Sequence, residues 1–199
     1  MISPALPWLN ELTEKSLVVV DPFFTPEEWA LLQTAYRRRF DLNRFAKAGV
    51  GLADPHTEIA ALDRSIRRDS TCWIDEGDED LQFLQNKFAS VRQQMNEALY
   101  LNLASQEFHF SHYAEGAFYR RHLDRFQNGG RRVVSLVVYL NETWQPEWGG
   151  ALRAHLEPVR DIEPAPNRAV FFLSADVTHE VLPTLKPRKS LTGWFLSRQ

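Results

Sequence analysis

The strongest constraint on the fold is a pair of potential metal ligands, His122 and Asp124, which a single residue separates. Because side chains on a strand alternate between its two faces, both would leave a strand on the same side. An imidazole nitrogen and a carboxylate oxygen brought together in this way supply two ligands of a facial triad, which holds non-haem Fe(II) with coordination positions left open. The pair alone is a weak signal, because a His-x-Asp triplet also occurs in ordinary surface turns.

The downstream sequence supplies a candidate third ligand, His179. The apolar residues 170–173 predict a buried strand, and His179 opens the next one. Arg188 follows nine positions later (188 − 179), ahead of a strand-like segment at 190–196. Its guanidinium could clamp a dicarboxylate through two parallel charge-assisted hydrogen bonds. This order of His-x-Asp, distal His and Arg is typical of iron- and 2-oxoglutarate-dependent oxygenases.

Composition and charge limit the classes of protein to which the chain could belong. A chain of 199 residues is most simply one domain, with 44% hydrophobic and 25% charged residues, as in ordinary globular proteins. The net charge of −3 and the pI near 6.1 argue against an extended nucleic-acid surface. Cys72 is the only cysteine, which excludes an intrachain disulfide and fits a reducing compartment. Neither a signal peptide nor an apolar run of about 20 residues is evident, so we expect a cytoplasmic protein with no membrane partner.

Two predicted helices precede a strand-rich half. Residues 1–15 are a polar lead-in, and residues 16–20 form a short strand. Thr25 and Glu28 form a capping box that begins one helix, and a second helix runs from 78 to about 100. Many short strands follow, so the chain is mainly β with flanking helices. Gly49 and Gly51 lie in a segment, 46–64, that we expect to be a mobile loop.

Several stretches besides the triad resemble the prolyl 4-hydroxylase branch of the 2-oxoglutarate oxygenases, especially the hypoxia-factor-type prolyl hydroxylases and their bacterial relatives. The resemblance covers residues 16–198. Its motifs are Tyr113 before the His-x-Asp pair, the strand 137–141 with Tyr139, the Gly-Gly-x-Leu stretch ending at Leu152, the closing Thr192 and Trp194, the Arg-x-Asp at 67–69 and the tryptophan strand at 72–74.

The resemblance implies a double-stranded β-helix, or jelly roll, braced by the N-terminal helices. It implies Fe(II), 2-oxoglutarate and O2 as cofactors, with ascorbate as a candidate reductant because the iron must begin as Fe(II). His122, Asp124 and His179 would hold the metal and carry catalysis. The cosubstrate would contact Arg188, Tyr139, Tyr113, Leu152, Thr192 and Trp194.

The substrate implied by the resemblance is a protein bearing a target proline, and elongation factor Tu is the first candidate. Segment 46–64 would take hold of this polypeptide. Arg132 would hold it at the pocket rim, oriented by Asp69. Three alternatives stay open: the same chemistry on a small molecule such as a free amino acid, a nucleic-acid demethylase, which the acidic balance disfavours, and a non-catalytic jelly-roll sensor of metal or 2-oxoglutarate. Deleting segment 46–64 discriminates the first alternative, because the deletion should abolish turnover of a peptide but could spare a small substrate.

Overall fold

The computed structural model describes residues 7–49, 63–125 and 130–198. Within these ranges, three α-helices lie in the first half of the chain: α1 (Leu9–Lys15), α2 (Pro26–Asp41) and α3 (Gln82–Leu99). The strands, in chain order, are β1 (Leu17–Val20), β2 (Ala46–Lys47), β3 (Ser70–Ile74), β4 (Leu103–Tyr113), β5 (Tyr119–His122), β6 (Arg132–Tyr139), β7 (Leu152–Ala154), β8 (Arg160–Ile162), β9 (Ala169–Leu173), β10 (His179–Val181) and β11 (Arg188–Ser197).

The strands form two antiparallel sheets that face each other. The large sheet has the order β1-β9-β6-β11-β4-β3-β2, and the small sheet has the order β5-β10-β7-β8. From β4 onward the chain passes repeatedly between the two sheets, so that neighbouring strands in sequence mostly belong to different sheets. This alternation is the jelly-roll arrangement. The predicted fold class, a mainly β jelly roll with flanking helices, is confirmed.

The outer face of the large sheet packs on the helices. Because strand side chains alternate, every second residue of β4 and β11 lies on this face, including Phe108, Phe110 and Phe195. Phe88 of α3 stacks on Phe108 with the ring centroids 4.5 Å apart. Gly193 fits beneath the same ring, where a Cβ would overlap Phe108. The helices therefore brace the sheet from outside, as the sequence predicts.

The inner face of the large sheet is more polar where β4 and β11 pair. The register places Thr192 opposite His109, Ser190 opposite Ser111 and Arg188 opposite Tyr113. Elsewhere the space between the sheets is filled by an apolar cluster that includes Val137, Leu152, Val170 and Phe172. The polar strip on β4 and β11 is consequently the part of the interior that is suited to binding a polar ligand.

Three predictions for the N-terminal part of the chain can be compared with the structure. The predicted capping box is present, since Glu28 N–H donates to the Thr25 hydroxyl and Thr25 N–H donates to the Glu28 carboxylate. The prediction of a polar lead-in over residues 1–15 is wrong in part, because α1 buries Leu9 and Leu12 against the core. Of the predicted loop 46–64, residues 50–62 lie outside the described residues, and Ala46 and Lys47 form the edge strand β2.

Candidate active site

The three predicted metal ligands converge between the two sheets. His122 ends β5, His179 begins β10, and strand pairing places them opposite each other. Candidate ligand atoms of His122, Asp124 and His179 all lie within 4.8 Å of one another. One carboxylate oxygen of Asp124 is 3.5 Å from His122 Nε2, and the other is 3.8 Å from His179 Nε2. Two imidazoles and one carboxylate in this arrangement fit a facial triad for Fe(II).

Asp124 is not placed by strand alternation as the sequence analysis assumed, because β5 ends at His122 and Asp124 lies in a bend beyond it. Two buried serines fix its position instead. The Ser135 hydroxyl donates to Asp124 Oδ2 at 2.7 Å, and the Ser174 hydroxyl lies 2.8 Å from that of Ser135. Sequence reasoning missed both serines. Their signal is a single polar residue within or directly after an apolar strand, at 133–139 and 170–174.

Both imidazoles are held so that Nε2 is left for the metal. His122 Nδ1 lies 2.7 Å from the carbonyl oxygen of Arg120, and His179 Nδ1 lies 3.1 Å from that of Val177. Such carbonyls fix the tautomer in which Nδ1 carries the proton. Burial lowers the pKa of His179 to about 4, so this imidazole is neutral at pH 7. Burial alone would raise the pKa of Asp124, but the two neighbouring histidines hold it well below its usual range.

The ring of Tyr119 stacks on that of His122, with the ring centroids 3.7 Å apart. The guanidinium carbon of Arg67 lies 4.3 Å from the centroid of the Tyr119 ring. A β-bulge makes this stacking possible, because the residues from Tyr119 to His122 oppose only those from Val181 to His179. Arg67 forms a two-pronged ion pair with Asp69, with Nε and NH2 on separate carboxylate oxygens. Asp69 therefore orients Arg67.

The predicted pairing of Asp69 with Arg132 is wrong for this structure. Arg132 donates from Nε and NH2 to Glu107 at 3.0 and 2.8 Å. Its guanidinium lies 3.5 Å from a ring centroid of Trp194. The indole N–H of Trp194 is buried and finds no acceptor among the described residues. Trp73 and His109 complete an aromatic wall beside it. Arg132 lies at the partly exposed edge of this wall.

Arg188 is a fully buried cation. Its side chain is 1% exposed, and no described residue places a carboxylate within ion-pair distance of it. Nε donates to the Gly150 carbonyl at 2.9 Å, and the guanidinium faces the rings of Tyr113 and Tyr139 at 4.9 and 5.0 Å. The Tyr139 hydroxyl is buried and finds no hydrogen-bond partner among the described residues. Since an isolated buried charge is costly, this pocket is built for an anion.

Three other residues are predicted to contact the cosubstrate, and one of them, Trp194, lies six residues beyond Arg188 on the same face of β11. Thr192 is on the same face of β11 as Arg188, and its hydroxyl is 3.4 Å from that of Ser111. Leu152 of β7 packs with Tyr139 in the apolar cluster between the sheets. Arg188 and the Tyr139 hydroxyl could hold one carboxylate of a dicarboxylate through charge-assisted hydrogen bonds. The donor set thus fits both 2-oxoglutarate and Fe(II).

Fold and site define a non-haem metal-dependent oxygenase of the jelly-roll type, and comparison with known proteins agrees. Residues 108–196 match the 2OG-Fe(II) oxygenase superfamily. The crystal structure of a Pseudomonas putida prolyl-4-hydroxylase superposes with a TM-score of 0.84 at 38% identity, over 96% of this chain and 100% of that one. The chain belongs to the 2OG-Fe(II) oxygenase superfamily. The predicted cofactors Fe(II), 2-oxoglutarate and O2 are those of this superfamily, and this prediction is confirmed.

Animal proteins are more distant relatives. Prolyl hydroxylase EGLN3 of Mus musculus is 30% identical over 159 residues, which cover 74% of this chain but 65% of that protein. A prolyl hydroxylase from Trichoplax adhaerens, solved with a peptide of the hypoxia-inducible factor, superposes with a TM-score of 0.83 over 95% of this chain and 87% of that one. At 20% identity it shows a shared fold. Among the helices that the structure describes, none is long and apolar enough to cross a membrane.

Proposed function

We propose that the chain hydroxylates a prolyl residue of a protein, using Fe(II) held by His122, Asp124 and His179. The observation that carries the cosubstrate assignment is the buried guanidinium of Arg188 beside the Tyr139 hydroxyl, with no carboxylate partner in the part of the chain that the structure describes. The substrate assignment is supported by the 38% identity to a bacterial prolyl-4-hydroxylase over nearly the whole chain. Elongation factor Tu remains the first candidate target.

The bound iron and 2-oxoglutarate would supply the oxidising chemistry, in which O2 and 2-oxoglutarate yield succinate, CO2 and one hydroxyl oxygen on the substrate. The chain's own residues position the reactants. Arg188 and Tyr139 would hold the far carboxylate of the cosubstrate. Trp194 and Arg132 form the wall against which a prolyl ring can pack, and the buried indole N–H offers a donor to a substrate carbonyl.

Mass spectrometry tests the reaction. Purified protein, Fe(II), 2-oxoglutarate and O2 should convert a proline of the candidate target into a residue heavier by one oxygen atom, with matching succinate. Comparing host proteomes with and without the gene would find the target without a prior candidate. Succinate formed only with a free amino acid would favour the small-molecule alternative. No succinate under any condition would favour the non-catalytic sensor.

A matched variant separates the metal from the fold. Asp124→Asn keeps the side-chain volume and an acceptor for the Ser135 hydroxyl but removes the charge that binds the metal. It should leave the proline unmodified in the same assay. Hydroxylation by Asp124→Asn at the wild-type rate would contradict the proposed site.

A further inference from the structure

Five exposed arginines lie beside the metal site on two neighbouring segments, 63–69 and 115–125. They are Arg64, Arg68, Arg120, Arg121 and Arg125. We call them the arginine strip. The two segments are joined by backbone hydrogen bonds, from Arg68 N–H to the Phe118 carbonyl and from Arg120 N–H to the Ile66 carbonyl. Apart from the buried Asp69 and Asp124, the same two segments carry only two acidic residues among those described, Asp63 and Glu115. The whole chain, by contrast, has a net charge of −3.

Contacts link three of the five arginines, Arg64, Arg68 and Arg120. The Arg68 and Arg120 guanidinium carbons lie 4.9 and 5.6 Å from the centroid of one ring, that of Phe118. Arg64 and Arg68 exchange hydrogen bonds between their side chains and each other's carbonyls. Within the described ranges, no carboxylate lies within ion-pair distance of any arginine of the strip. Concentrating five cations on one surface raises the electrostatic energy of the free protein, and an anionic partner would lower it.

The β-bulge of β5 turns two arginines of the strip toward solvent. Arg120 and Arg121 occupy the extra position in this strand, and both side chains are exposed, although neighbouring residues of a regular strand would face opposite ways. The same bulge lets Tyr119 stack on His122. The cationic surface therefore follows directly after Tyr119, whose ring packs on the proposed metal ligand His122.

We infer that the arginine strip binds an acidic stretch of the protein substrate, adjacent to the proline that is hydroxylated. This inference rests on the proposed function and adds its substrate class. A carboxylate accepts two parallel hydrogen bonds from the planar guanidinium of arginine. Charge pairs across an interface contribute to specificity and to the association rate more than to affinity. A polypeptide is favoured over a nucleic acid because the strip is short and the rest of the chain is acidic.

The test uses two synthetic peptides with one central proline, flanked by Asp and Glu in one and by Asn and Gln in the other. Binding to the Zn(II)- and 2-oxoglutarate-loaded protein is measured by fluorescence anisotropy, so it does not depend on turnover. The acidic peptide should bind tighter, and the difference should shrink as salt is raised. Arg68→Gln with Arg120→Gln should weaken only the acidic peptide, by about 2- to 30-fold for two exposed pairs.

Two variants serve as controls. Arg37→Gln with Arg38→Gln removes two exposed arginines from α2, behind the large sheet, and should change neither affinity. Arg68→Lys with Arg120→Lys keeps the charge and should recover part of the loss, which a misfolded protein would not do. Equal affinity for both peptides, or the same loss in the α2 control, would overturn the inference. So would tighter binding of a single-stranded RNA of similar length. If peptides bind as expected but no proline is ever hydroxylated, the proposed function fails while the acidic docking surface stands.

Discussion

Replacing Arg188 by methionine should separate cosubstrate binding from folding. Methionine fills a similar apolar volume without the charge, and removing one partner of a buried charge pair costs about 3–5 kcal/mol. At about 1.4 kcal/mol for each tenfold, the Kd for 2-oxoglutarate should rise by about 10²- to 10⁴-fold. The free protein should lose little stability, because its buried guanidinium has no carboxylate partner among the described residues and only the bonds to Gly150 and Ser190 are lost.

Thermal unfolding with Zn(II), which has no redox chemistry, measures both quantities. At a 2-oxoglutarate concentration of 100 times the wild-type Kd, binding adds about 2.7 kcal/mol to wild-type stability. For a Kd raised about 100-fold, the same concentration adds about 0.4 kcal/mol. For a chain of this size these values correspond to shifts in Tm of about 5–11 °C and about 1 °C. Arg188→Lys should recover part of the shift, since lysine keeps the charge but not the planar fork.

Lys189→Met is the matched control. Lys189 is the next residue in β11, and its ammonium lies on the opposite face of the sheet, 5.8 Å from the Tyr36 ring. This variant should keep the full wild-type shift with 2-oxoglutarate. An undiminished shift in Arg188→Met, or a lost shift in Lys189→Met, would refute the assignment of Arg188 as the carboxylate anchor.

Three further predictions concern single residues. Ser135→Ala removes the 2.7 Å hydrogen bond to Asp124 and should weaken Zn(II) binding about 10- to 100-fold by calorimetry, with Ser135→Thr restoring it; an unchanged affinity would show that the serine does not position the ligand. Asp124→Ala should abolish 2-oxoglutarate turnover while the far-UV circular dichroism stays native, and wild-type turnover would disprove the triad. Burial lowers the pKa of His109 from 6.5 to about 4. Between these two values the unfolded chain binds more protons than the folded chain, so the free energy of unfolding falls as the pH drops, by about 3 kcal/mol for this residue. His109→Gln should flatten that part of the urea-unfolding profile, and an unaltered slope would count against a neutral buried imidazole.

The sequence alone identified the residues whose chemistry is specific and whose spacing is short. His122, Asp124 and His179 are recognisable because few residue types bind Fe(II), and Arg188 because a dicarboxylate requires a cation. The capping box at Thr25 and the β-branched strands are local signals as well, since each depends on neighbours within a few positions. These features did not require knowledge of which strands pair.

Tertiary structure decided the partners of these residues. Ser135 and Asp124 are 11 positions apart, and Ser174 is 39 from Ser135, so only the packing of three separate segments brings them together. Arg132 could have paired with Asp69 or Glu107. The register of β11, with Glu107 on one side of Trp194 and β6 on the other, selected Glu107. A single bulge in β5 turned two consecutive arginines outward. Such choices depend on strand register, which is set by the burial of whole faces and is not encoded by any one motif.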